Sequence, residues 1–486
     1  MSDIPVNNEN LLTNRIVDFF AKRTILITGG SGFVGKVIIR PRKGKTAEER
    51  LQTILNGSLF NCVKERFGPD IVKKVQAVPG DVSAPDLGLS PGNRRKLAEE
   101  TEIIYHSAAT VKFEEPLKST VLLNVRGTKL MLELAKECKK LMVFSYISTA
   151  YCHEDQDIVF EKIYTPPADP HQIIALCEWL DDESLSFLTK RLRGLSVNNY
   201  TFSKALAEIL VAEEMDNLPV IIQRPSAILP IWKEPIPGWT DNVNGPAGVF
   251  IGAAKGVIRT MYARPDIFID CLPVDVVANA LIVSTAFYYI YKKLRIFNLT
   301  ASEETERMGV TTEKVLEMGK DIINNKVAFN TVLWYPNGSL KQCRIHHYFD
   351  FFFFQLVPAL LVDAILFIIG SRPFLFKIQK RIWRGYEILE YYVNRRWYFD
   401  NQLSKTARNL LEPAEKKMFK VDPEGFDSYD YFIQCTLACR RYIMKEPDED
   451  IPAALRRMKM LRYLDILCKT IFIVGLFYYL SKWVLG

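Results

Sequence analysis

A glycine-rich turn near the start of the chain restricts its fold more than any other feature. The sequence TGGSGFVG, Thr28–Gly35, directly follows the apolar run Thr24–Thr28 and has glycines at positions 29, 32 and 35. Glycines at this spacing allow a tight turn between a strand and a helix, and they let backbone N–H groups approach a pyrophosphate. The segment therefore predicts a dinucleotide-binding strand–turn–helix unit; a glycine-rich turn without a ligand is the alternative.

Short apolar runs alternate with helical stretches from Arg23 to about Thr300, a pattern typical of βαβ units in a parallel sheet. Two of the stretches, Val121–Lys136 and Phe202–Asp216, have the 3.6-residue periodicity of helices. The alternation predicts a doubly wound, parallel-sheet α/β fold. Its predicted strands are Thr24–Thr28, Val75–Pro79, Ile103–Ser107, Met142–Ser148, Val220–Gln223 and Ile296–Thr300.

The first crossover of this sheet is short in the sequence. A full crossover needs a dozen or more residues, yet only KVIIR separates Gly35 from the segment PRKGKTAEER. We expect a first helix of about one turn and a second strand that is absent or reduced to Val37–Arg40, so that the central strand loses a neighbour. No acidic residue stands where a ribose 2′-hydroxyl is usually bound. A basic cluster there favours a 2′-phosphate, and hence NADP(H), over a solvated loop: Arg40, Arg42, Lys43 and Lys45.

Small and polar residues follow the next two predicted strands. Asp81 and Val82 stand where a carboxylate can accept a hydrogen bond from an adenine amino group; a simple turn aspartate is the alternative. Ser107–Thr110 supplies small residues where a cofactor ribose must lie close to the backbone. Asn124 in the following helix is expected to brace this loop, and His106 by itself is more typical of a packed core histidine.

A tyrosine and a lysine in NYTFSKALAE are the candidate catalytic pair. Tyr200 and Lys204 are four residues apart and lie on one face of the predicted helix. Their position along the chain sets them apart, because they follow a strand ending in Ser148 and Thr149 and precede the strand that leads to Arg224-Pro225-Ser226. Spacing alone does not select them, since three other pairs fit it: Tyr288/Lys292, Tyr289/Lys293 and Tyr478/Lys482.

The predicted roles follow from the chemistry of carbonyl reduction. Hydride addition produces an oxyanion that must be protonated, and a phenol of pKa about 10 needs a nearby ammonium to act near neutral pH. We predict that Tyr200 donates the proton and that Lys204 lowers its pKa and binds the nicotinamide ribose. Ser148 or Thr149 would polarise the carbonyl. An amphipathic helix with a surface lysine is the alternative.

Composition narrows the functional classes. The 486 residues carry 63 Lys and Arg against 56 Asp and Glu, and this net charge of +7 suits anionic small molecules or a lipid surface better than nucleic acid. The nine cysteines form no CxxC pair, which argues against a disulfide framework or a zinc site, and no metal is expected. The N-terminal residues lack the continuous apolar run of a secretory signal peptide.

Apolar residues concentrate in two C-terminal stretches. Phe351–Gly370 is long enough to cross a bilayer, but Gln355, Pro358 and Asp363 interrupt it, so a buried or interfacial helix is slightly favoured over a span. Leu464–Gly486 is predicted to be a membrane segment, with the basic residues before it on the cytosolic side.

These motifs together resemble those of the fatty acyl-CoA reductases, an extended branch of the short-chain dehydrogenases. The resemblance is carried by TGGSGFVGK, PRKGKTAEERL, VPGDVS, IYHSAATVKFEEPL, NVRGTKLMLELA, ISTAY, NYTFSKALAE, RPSAIL and GWTDNVNGP, and near the C-terminus by RRWYFDN and YIMKE. It implies a lead-in at 1–22, a Rossmann catalytic domain at 23–340, a mostly helical reductase C-terminal domain at 346–446 and a membrane segment at 464–486.

The resemblance further implies NADPH-dependent, two-step reduction of a long-chain fatty acyl-CoA to the alcohol through a bound aldehyde. The active site would be cytosolic, on a protein attached to the lipid bilayer of the endoplasmic reticulum or peroxisome, and the oligomeric state stays open. Implied catalytic residues are Tyr200, Lys204 and Thr149 or Ser148. Implied cofactor contacts are Gly29, Ser31, Gly32, Phe33, Val34, Arg40, Asp81, Val82, Ala108, Ala109, Pro225, Ser226 and Ile228.

Two other functions are compatible with the sequence. One is a different extended reductase, acting on a sterol or a nucleotide-sugar. The other is a catalytically impaired nucleotide- or lipid-binding protein, which the short first crossover favours.

Overall fold

A parallel seven-stranded sheet organises the N-terminal part of the computed structural model, which describes residues 15–29, 38–40, 44–241, 245–292 and 295–485. Strands in the described residues are Ile25–Thr28 (β1), Ile38–Ile39 (β2), Val78–Pro79 (β3), Ile103–His106 (β4), Val143–Ile147 (β5), Ile158–Val159 (β6), Val220–Pro225 (β7), Ala227–Leu229 (β8), Thr260–Tyr262 (β9), Cys271–Pro273 (β10), Ile296–Leu299 (β11), Ser339–Lys341 (β12) and Tyr398–Phe399 (β13).

The helices occupy the segments between these strands and most of the C-terminal part. They are Arg15–Phe20 (α1), Ala47–Leu55 (α2), Ser58–Phe67 (α3), Pro91–Glu100 (α4), Leu117–Val121 (α5), Gly127–Glu137 (α6), Pro170–Trp179 (α7), Asp182–Arg193 (α8), Asn199–Glu213 (α9), Pro246–Ala254 (α10), Val274–Tyr291 (α11), Ser302–Met308 (α12), Thr312–Asn325 (α13), Arg344–Phe351 (α14), Val357–Ile368 (α15), Leu375–Val393 (α16), Gln402–Asn409 (α17), Pro413–Met418 (α18), Ser428–Ala438 (α19) and Ile451–Leu485 (α20).

Two compact units make up the chain, and each takes segments from separate parts of the sequence. The sheet unit comprises the chain up to Ile228, Val274–Ala301 and Tyr398–Pro423. The helical unit comprises the three remaining segments, Leu229–Pro273, Ser302–Trp397 and Glu424–Gly486. The segment 398–423 therefore belongs to the sheet unit, although it lies within the range that the sequence assigns to a separate helical domain.

The strand order of the sheet is β11–β7–β5–β4–β1–β2–β3, and every neighbouring pair is parallel. All six predicted strands are present in it, and the doubly wound parallel sheet is confirmed. After β3 the chain returns to the other side of β1, so the order reverses between β1 and β4. Open α/β sheets bind ligands at the carboxyl ends of strands beside such a reversal.

Helices cover both faces of the sheet, as a parallel sheet requires. On one face Phe144 and Ile222 join a buried core with side chains of α6 and α9. On the opposite face α11 packs against the sheet, and the side-chain amide of Gln223 donates to the carbonyl oxygen of Leu281 at 3.1 Å. The alternation of Ile222 and Gln223 between faces is the two-residue period of a strand.

The expectation that β1 loses a neighbour is wrong. The two-residue strand β2 pairs with β1 through Thr28 and Ile38, and with β3 through Ile38 and Val78. Ile38 is 6% exposed and joins the core, so two residues are enough to continue the ladder. The expected one-turn helix after Gly29 falls in residues 30–37, outside the described part.

In the helical unit, α14 and α15 run as one helical segment through a π-helical turn, Phe352–Leu356, and α15 packs beside α16. The two polar residues that interrupt the apolar pattern are buried and bonded to α16. Gln355 donates to the side-chain oxygen of Gln379 at 2.8 Å. Asp363 accepts from the backbone N–H groups of Phe374, Leu375 and Phe376 at 2.8–3.0 Å, which caps the N-terminus of α16.

Two helices of the described chain are long and apolar enough to cross a membrane. Val274–Tyr291 is 56% buried and is the α11 core helix of the sheet unit. The segment Arg344–Ile368 has a mean hydropathy of 2.3 and is only 22% buried. Its outward side chains include Leu361, Ile365 and Ile368, which are 58–81% exposed.

Candidate active site

The site begins where β1 and β4 end side by side. Gly29 has a φ of +78°, and a Cβ added there would lie 2.8 Å from the backbone nitrogen of Ala108 and from the carbonyl of Ser107. Only glycine fits both this conformation and this close approach. The turn therefore brings backbone from two strands together. Four predicted phosphate contacts, Ser31, Gly32, Phe33 and Val34, lie outside the described residues.

His106, at the end of β4, is a core residue. Its Nδ1 lies 2.7 Å from the hydroxyl of Thr28 and its Nε2 lies 3.1 Å from the hydroxyl of Thr128. Burial, with a smaller contribution from the Lys204 charge, lowers the pKa of His106 to about 3, so the ring is neutral at physiological pH. The packed-histidine interpretation agrees with these contacts.

Asn124 braces the loop that follows β4, as the sequence predicts. It lies in a π-helical turn between α5 and α6, accepts from the backbone N–H of Thr110 at 2.8 Å, and donates to the carbonyl oxygen of the same residue at 3.2 Å. Its amide also donates to the hydroxyl of Ser203 on α9 at 2.8 Å. One side chain thus ties the Ala108–Ala109 loop to the helix that carries Tyr200 and Lys204.

The candidate adenine and 2′-phosphate residues lie together beyond β2 and β3. The guanidinium of Arg40 is 3.5 Å from one Asp81 oxygen, while the other oxygen accepts from the backbone and hydroxyl of Ser83 at 3.0 and 2.7 Å. Asp81 therefore also holds a local turn. Val82 is 6% exposed and joins the core, and a Cβ added at Gly127 would lie 2.9 Å from its carbonyl oxygen. The Val82 side chain thus faces the protein interior.

Tyr200 and Lys204 lie on the first turns of α9, at the carboxyl end of β5. Asn198 caps the helix by accepting from the backbone N–H of Thr201 at 2.9 Å. The Lys204 ammonium donates to the carbonyl oxygen of Ile147, the last residue of β5, at 2.7 Å. The side chain of Thr149, directly beyond β5, lies near Tyr200 and acts to lower the pKa of its phenol. The structure thus brings three predicted catalytic residues together.

The protonation of this pair is set by burial. Burial raises the pKa of Tyr200 above its ordinary value, and the nearby Thr149 side chain opposes the rise, so the lowering by Lys204 that the sequence predicts is not found. Burial also lowers the pKa of Lys204 to about 8, against the attraction of Glu208, which raises it. Lys204 therefore remains largely protonated at neutral pH.

The two candidate hydroxyls beyond β5 have different partners. The Ser148 hydroxyl lies 3.8 Å from the sulfur of Cys152 and is 3% exposed. The Thr149 hydroxyl lies near Tyr200 and accepts from the backbone N–H of Tyr151 at 3.3 Å. Of the two, Thr149 is the hydroxyl next to the tyrosine.

The remaining candidates follow β7. The backbone N–H of Ser226 donates to the carbonyl oxygen of Leu299 at 3.0 Å, and its buried hydroxyl has no hydrogen-bond partner among the described residues. Pro225 ends β7 and Ile228 lies in β8, half-buried. The unpaired Ser226 hydroxyl and the close backbone approach at Gly29 are both compatible with a dinucleotide bound along the strand ends.

A buried ionic network behind the tyrosine and lysine is absent from the sequence predictions. Both carboxylate oxygens of Glu208 accept from Arg224, at 2.6 and 2.9 Å, and one also lies 2.9 Å from Nε2 of His153. Burial acts to raise the pKa of Glu208, but the charges and hydrogen bonds of Arg224 and His153 lower it overall. Glu208 is thus a buried carboxylate, four residues beyond Lys204.

Two signals for this network were present in the sequence. Glu208 is an acidic residue on the same predicted helix face as Tyr200 and Lys204, and Arg224 stands at the end of an otherwise apolar strand. Charged residues in predicted core positions need partners.

The side chains of Cys152, His153 and Glu208 are close enough together to suggest a metal site. Two contacts argue against this interpretation. Arg224 occupies both oxygens of Glu208 with its own positive charge, and burial raises the pKa of Cys152 well above its ordinary value, so that a thiol is favoured over the metal-binding thiolate. The cluster is a hydrogen-bonded ionic network.

Comparison with known proteins adds family information to this geometry. Two family models, both described as male sterility protein, match the chain: NAD_binding_4 over residues 36–281 and Sterile over residues 354–446. The protein CG8306 of Drosophila melanogaster, whose name places it with fatty acyl-CoA reductases, is 34% identical over 96% of this chain and 95% of its own length. Fatty acyl-CoA reductase 1 of Rattus norvegicus is 32% identical over 94% of this chain and 92% of its own. The chain belongs to the fatty acyl-CoA reductase family.

Solved structures resemble this fatty acyl-CoA reductase family member in fold. The terminal reductase domain of the myxalamid pathway has a TM-score of 0.56 at 18% identity, covering 88% of this chain and 92% of that domain. A reductase domain of a Mycobacterium tuberculosis nonribosomal peptide synthetase has a TM-score of 0.55 at 20% identity, covering 86% and 91%. These likenesses confirm the Rossmann-like sheet with a helical C-terminal region. The family member is an oxidoreductase that uses a nicotinamide cofactor.

Proposed function

We propose that this family member reduces a long-chain fatty acyl-CoA to the fatty alcohol, with NADPH as hydride donor and the aldehyde held at the site between two reductions. The single observation that supports this best is the position of Tyr200 and Lys204 on the first turns of α9, with the Lys204 ammonium bonded to Ile147 at the end of β5. Curated relatives that match nearly the whole chain are named fatty acyl-CoA reductases, which supports the substrate class.

Each catalytic residue has a role that follows from its contacts. Thr149 polarises the substrate carbonyl, Tyr200 donates the proton to the oxyanion, and the Lys204 ammonium stabilises the phenolate that remains. The bound nicotinamide supplies the hydride. Over both reductions, one acyl-CoA, two NADPH and two protons give one alcohol, free CoA thiol and two NADP⁺.

The cofactor contacts follow the strand ends. We assign the pyrophosphate to Gly29, Ser31, Gly32, Phe33 and Val34, the adenine to Asp81 and the backbone of Val82, the ribose side to Ala108 and Ala109, and the nicotinamide to Pro225, Ser226 and Ile228. Arg40 selects NADP(H) by pairing with the 2′-phosphate in place of Asp81. Its guanidinium is half-exposed, 3.5 Å from that carboxylate, so it can reach a phosphate without leaving a buried charge unpaired.

Purified protein supplied with palmitoyl-CoA and NADPH tests the proposal. We expect NADPH consumption with hexadecanol as the product, detected by gas chromatography and mass spectrometry. Tyr200→Phe should lower kcat by at least about 100-fold, because it removes the proton donor, while NADPH binding persists. Tyr289→Phe is the matched control, since this tyrosine has the same spacing to a lysine but lies on α11. Equal activity of the two variants would overturn the assignment.

The ratio of NADPH to NADH use tests the cofactor preference. Arg40→Ala should raise the KM for NADPH about 10-fold or more and leave the KM for NADH nearly unchanged, because only NADPH carries the 2′-phosphate. An equal rise for both cofactors would contradict the role of Arg40.

A catalytically impaired reductase that binds its nucleotide is the second candidate function. Only eight residues separate Gly29 from Ile38, which is short for a full first crossover. NADPH binding by calorimetry without product from palmitoyl-CoA would favour this candidate. A sterol or nucleotide-sugar reductase is less compatible with the match to the family's C-terminal model over 354–446.

We further propose that the protein is membrane-attached, with a cytosolic active site at the endoplasmic reticulum or peroxisome. The exposed aliphatic side chains of Arg344–Ile368 and of the C-terminal half of α20 support attachment, including Ile471, Ile473 and Val474 at 51–63% exposure. Because Gln355 and Asp363 are bonded within the protein, the first segment fits an interfacial hairpin better than an isolated span. Flotation with liposomes, with and without residues 464–486, tests the attachment.

A further inference from the structure

An open groove in the helical unit lies between the α14–α15 segment and α16. It has a volume of about 570 Å³ and apolar walls that include Phe351, Phe352, Leu356, Phe376 and Trp383. This size lies within the range of roughly 300–1,000 Å³ that is usual for small-molecule sites. The groove is large enough for a lipid chain.

Two polar groups in the groove wall, the Gln379 oxygen and the Trp383 indole, have partners within the protein. The side-chain oxygen of Gln379 accepts from Gln355, and the indole N–H of Trp383 donates to Glu387 at 2.9 Å. These two side chains therefore need no hydrogen bond from a bound molecule. An apolar chain can fill it without leaving a buried donor unsatisfied.

The rim of the groove is cationic. Lys380 and Arg384 line it one turn apart on α16, and within the described residues neither forms an ion pair. Lys380 lies 5.7 Å from the centre of the Phe376 ring. Glu387 is the one acidic residue that lines the described groove, and its carboxylate is bonded to Trp383. The rim therefore keeps a net positive charge.

The groove continues into the exposed apolar surface of the hairpin formed by α15 and α16. Phe374 and Phe376, at the start of α16, are 42–46% exposed, and Phe367, Ile368 and Ile369, at the end of α15, are 66–81% exposed. A chain that enters the groove would thus leave it along an apolar surface rather than through water.

We propose that this groove binds one phospholipid with an acidic headgroup, its acyl chain against Phe351 and Trp383 and its phosphate at Lys380 and Arg384. Charge complementarity and continuity with the apolar hairpin select this occupant over a neutral lipid. The inference rests on the membrane attachment proposed above, and adds to it a specific lipid class and a specific binding position.

Vesicle binding of the full-length protein tests the charge at the rim. Liposomes of phosphatidylcholine alone are compared with liposomes that contain phosphatidylserine. Lys380→Gln/Arg384→Gln should lose about 10-fold or more of the preference for phosphatidylserine, because these two cations contact the headgroup directly and a charge-assisted contact is stronger than attraction across water. Lys377→Gln/Arg381→Gln removes the same charge from exposed positions of the same helix that do not line the groove, and should lose much less.

The outcomes separate the two proposals. Equal losses in the two double variants would overturn the groove site in favour of diffuse surface charge. Equal binding of wild-type protein to both kinds of liposome would also overturn it, while leaving the membrane attachment intact. Binding to neither kind would contradict the attachment itself.

Fluorescence quenching tests where the acyl chain lies. Phosphatidylserine with brominated chains, added as a minor component to phosphatidylcholine liposomes, should quench tryptophan emission more than brominated phosphatidylcholine at the same fraction. Trp383→Phe should remove this excess quenching, whereas Trp397→Phe should keep it, since Trp397 does not line the groove. Excess quenching that survives in Trp383→Phe would overturn the proposal.

Discussion

The α9 region of the sheet unit and the α14–α16 hairpin of the helical unit both bury charged or amide side chains, but what surrounds these side chains differs. Behind Tyr200, the Glu208–Arg224 pair is enclosed by protein and bonded to His153 and to the backbone carbonyls of Phe160 and Lys162, and both members of the pair are at most 1% exposed. In the hairpin, Gln355 and Asp363 face inward while large aliphatic side chains face outward. The first arrangement is typical of the interior of a protein surrounded by water, and the second is compatible with lipid around the hairpin.

The difference shows that buried polar residues have different structural roles in the two regions. In the sheet unit, a charge pair fixes the helix that carries Tyr200 and Lys204 against strand β7. In the hairpin, polar residues satisfy the backbone and each other, so that none has to face an apolar environment. Single substitutions in each region test these two roles.

Neutralising the buried carboxylate should have the largest effect. Glu208→Gln leaves Arg224 buried without its counter-charge, and removal of one partner of such a pair costs about 3–5 kcal/mol of unfolding free energy. Urea denaturation followed by circular dichroism measures this. The control is Glu213→Gln on the same helix, whose pair with His171 is about half-exposed and should change stability little. Similar losses in both variants would contradict the distinction between buried and exposed pairs.

A side chain at Gly29 should have the next largest effect, which is a loss of NADPH affinity. Gly29→Ala adds a Cβ 2.8 Å from the backbone of Ala108, so we expect NADPH affinity to fall about 10-fold or more. Calorimetric titration with NADPH provides the measurement. Gly68→Ala separates the clash from the backbone strain, because Gly68 has a similar φ of +84° but no atom within 4 Å of the added Cβ. A comparable loss of affinity in Gly68→Ala would show that the close backbone approach at Gly29 is unimportant for cofactor binding.

Titration of Lys204 should affect activity and stability in opposite directions. Its pKa of about 8 predicts that kcat/KM for NADPH falls as pH rises through that value, because the ammonium is lost. The unfolded chain keeps that proton to a pKa of about 10.4, so the unfolding free energy should rise between the two values. Lys204→Met should abolish this rise. A pH-independent kcat/KM between pH 7 and 9 would contradict the assignment.

Substitutions in the hairpin should change the unfolding free energy least. Asp363→Asn weakens the cap of α16 and should lower the unfolding free energy in detergent by about 1 kcal/mol. Ile365→Ser, on the outward face, should leave that free energy nearly unchanged and instead weaken flotation with liposomes. If Ile365→Ser destabilises the protein in detergent as much as Asp363→Asn, the Ile365 side chain packs inside the protein. The description of the hairpin as having outward aliphatic side chains would then be wrong.

Local patterns were enough to predict much of the sheet unit. Strand residues such as Ile222 and Gln223 alternate between faces, and Tyr200 and Lys204 share a helix face whatever surrounds them. These features depend on sequence neighbours. They could therefore be inferred along with the glycine turn and the order of the strands.

Features that depend on distant partners could not be predicted. The pairing of Ile38 with both Thr28 and Val78 is a tertiary contact of a two-residue strand, too short for a periodic signal. The bonds of Glu208 come from Arg224 on a strand and His153 on a loop. Composition after residue 340 indicates helices, but it does not reveal that Tyr398–Pro423 returns to the sheet unit.

The interleaving of the two units also constrains the order of events during synthesis. Strand β13 pairs with β6 in the register Tyr398 to Ile158, and the amide of Asn298 donates to the carbonyl oxygen of Asp400 at 2.7 Å. These partners leave the ribosome long after the strands they complete. Until residues 398–423 have emerged, the sheet unit therefore has an unpaired strand β6 and an Asn298 amide that donates only to Val159, and a chain that stops before them would leave both incomplete.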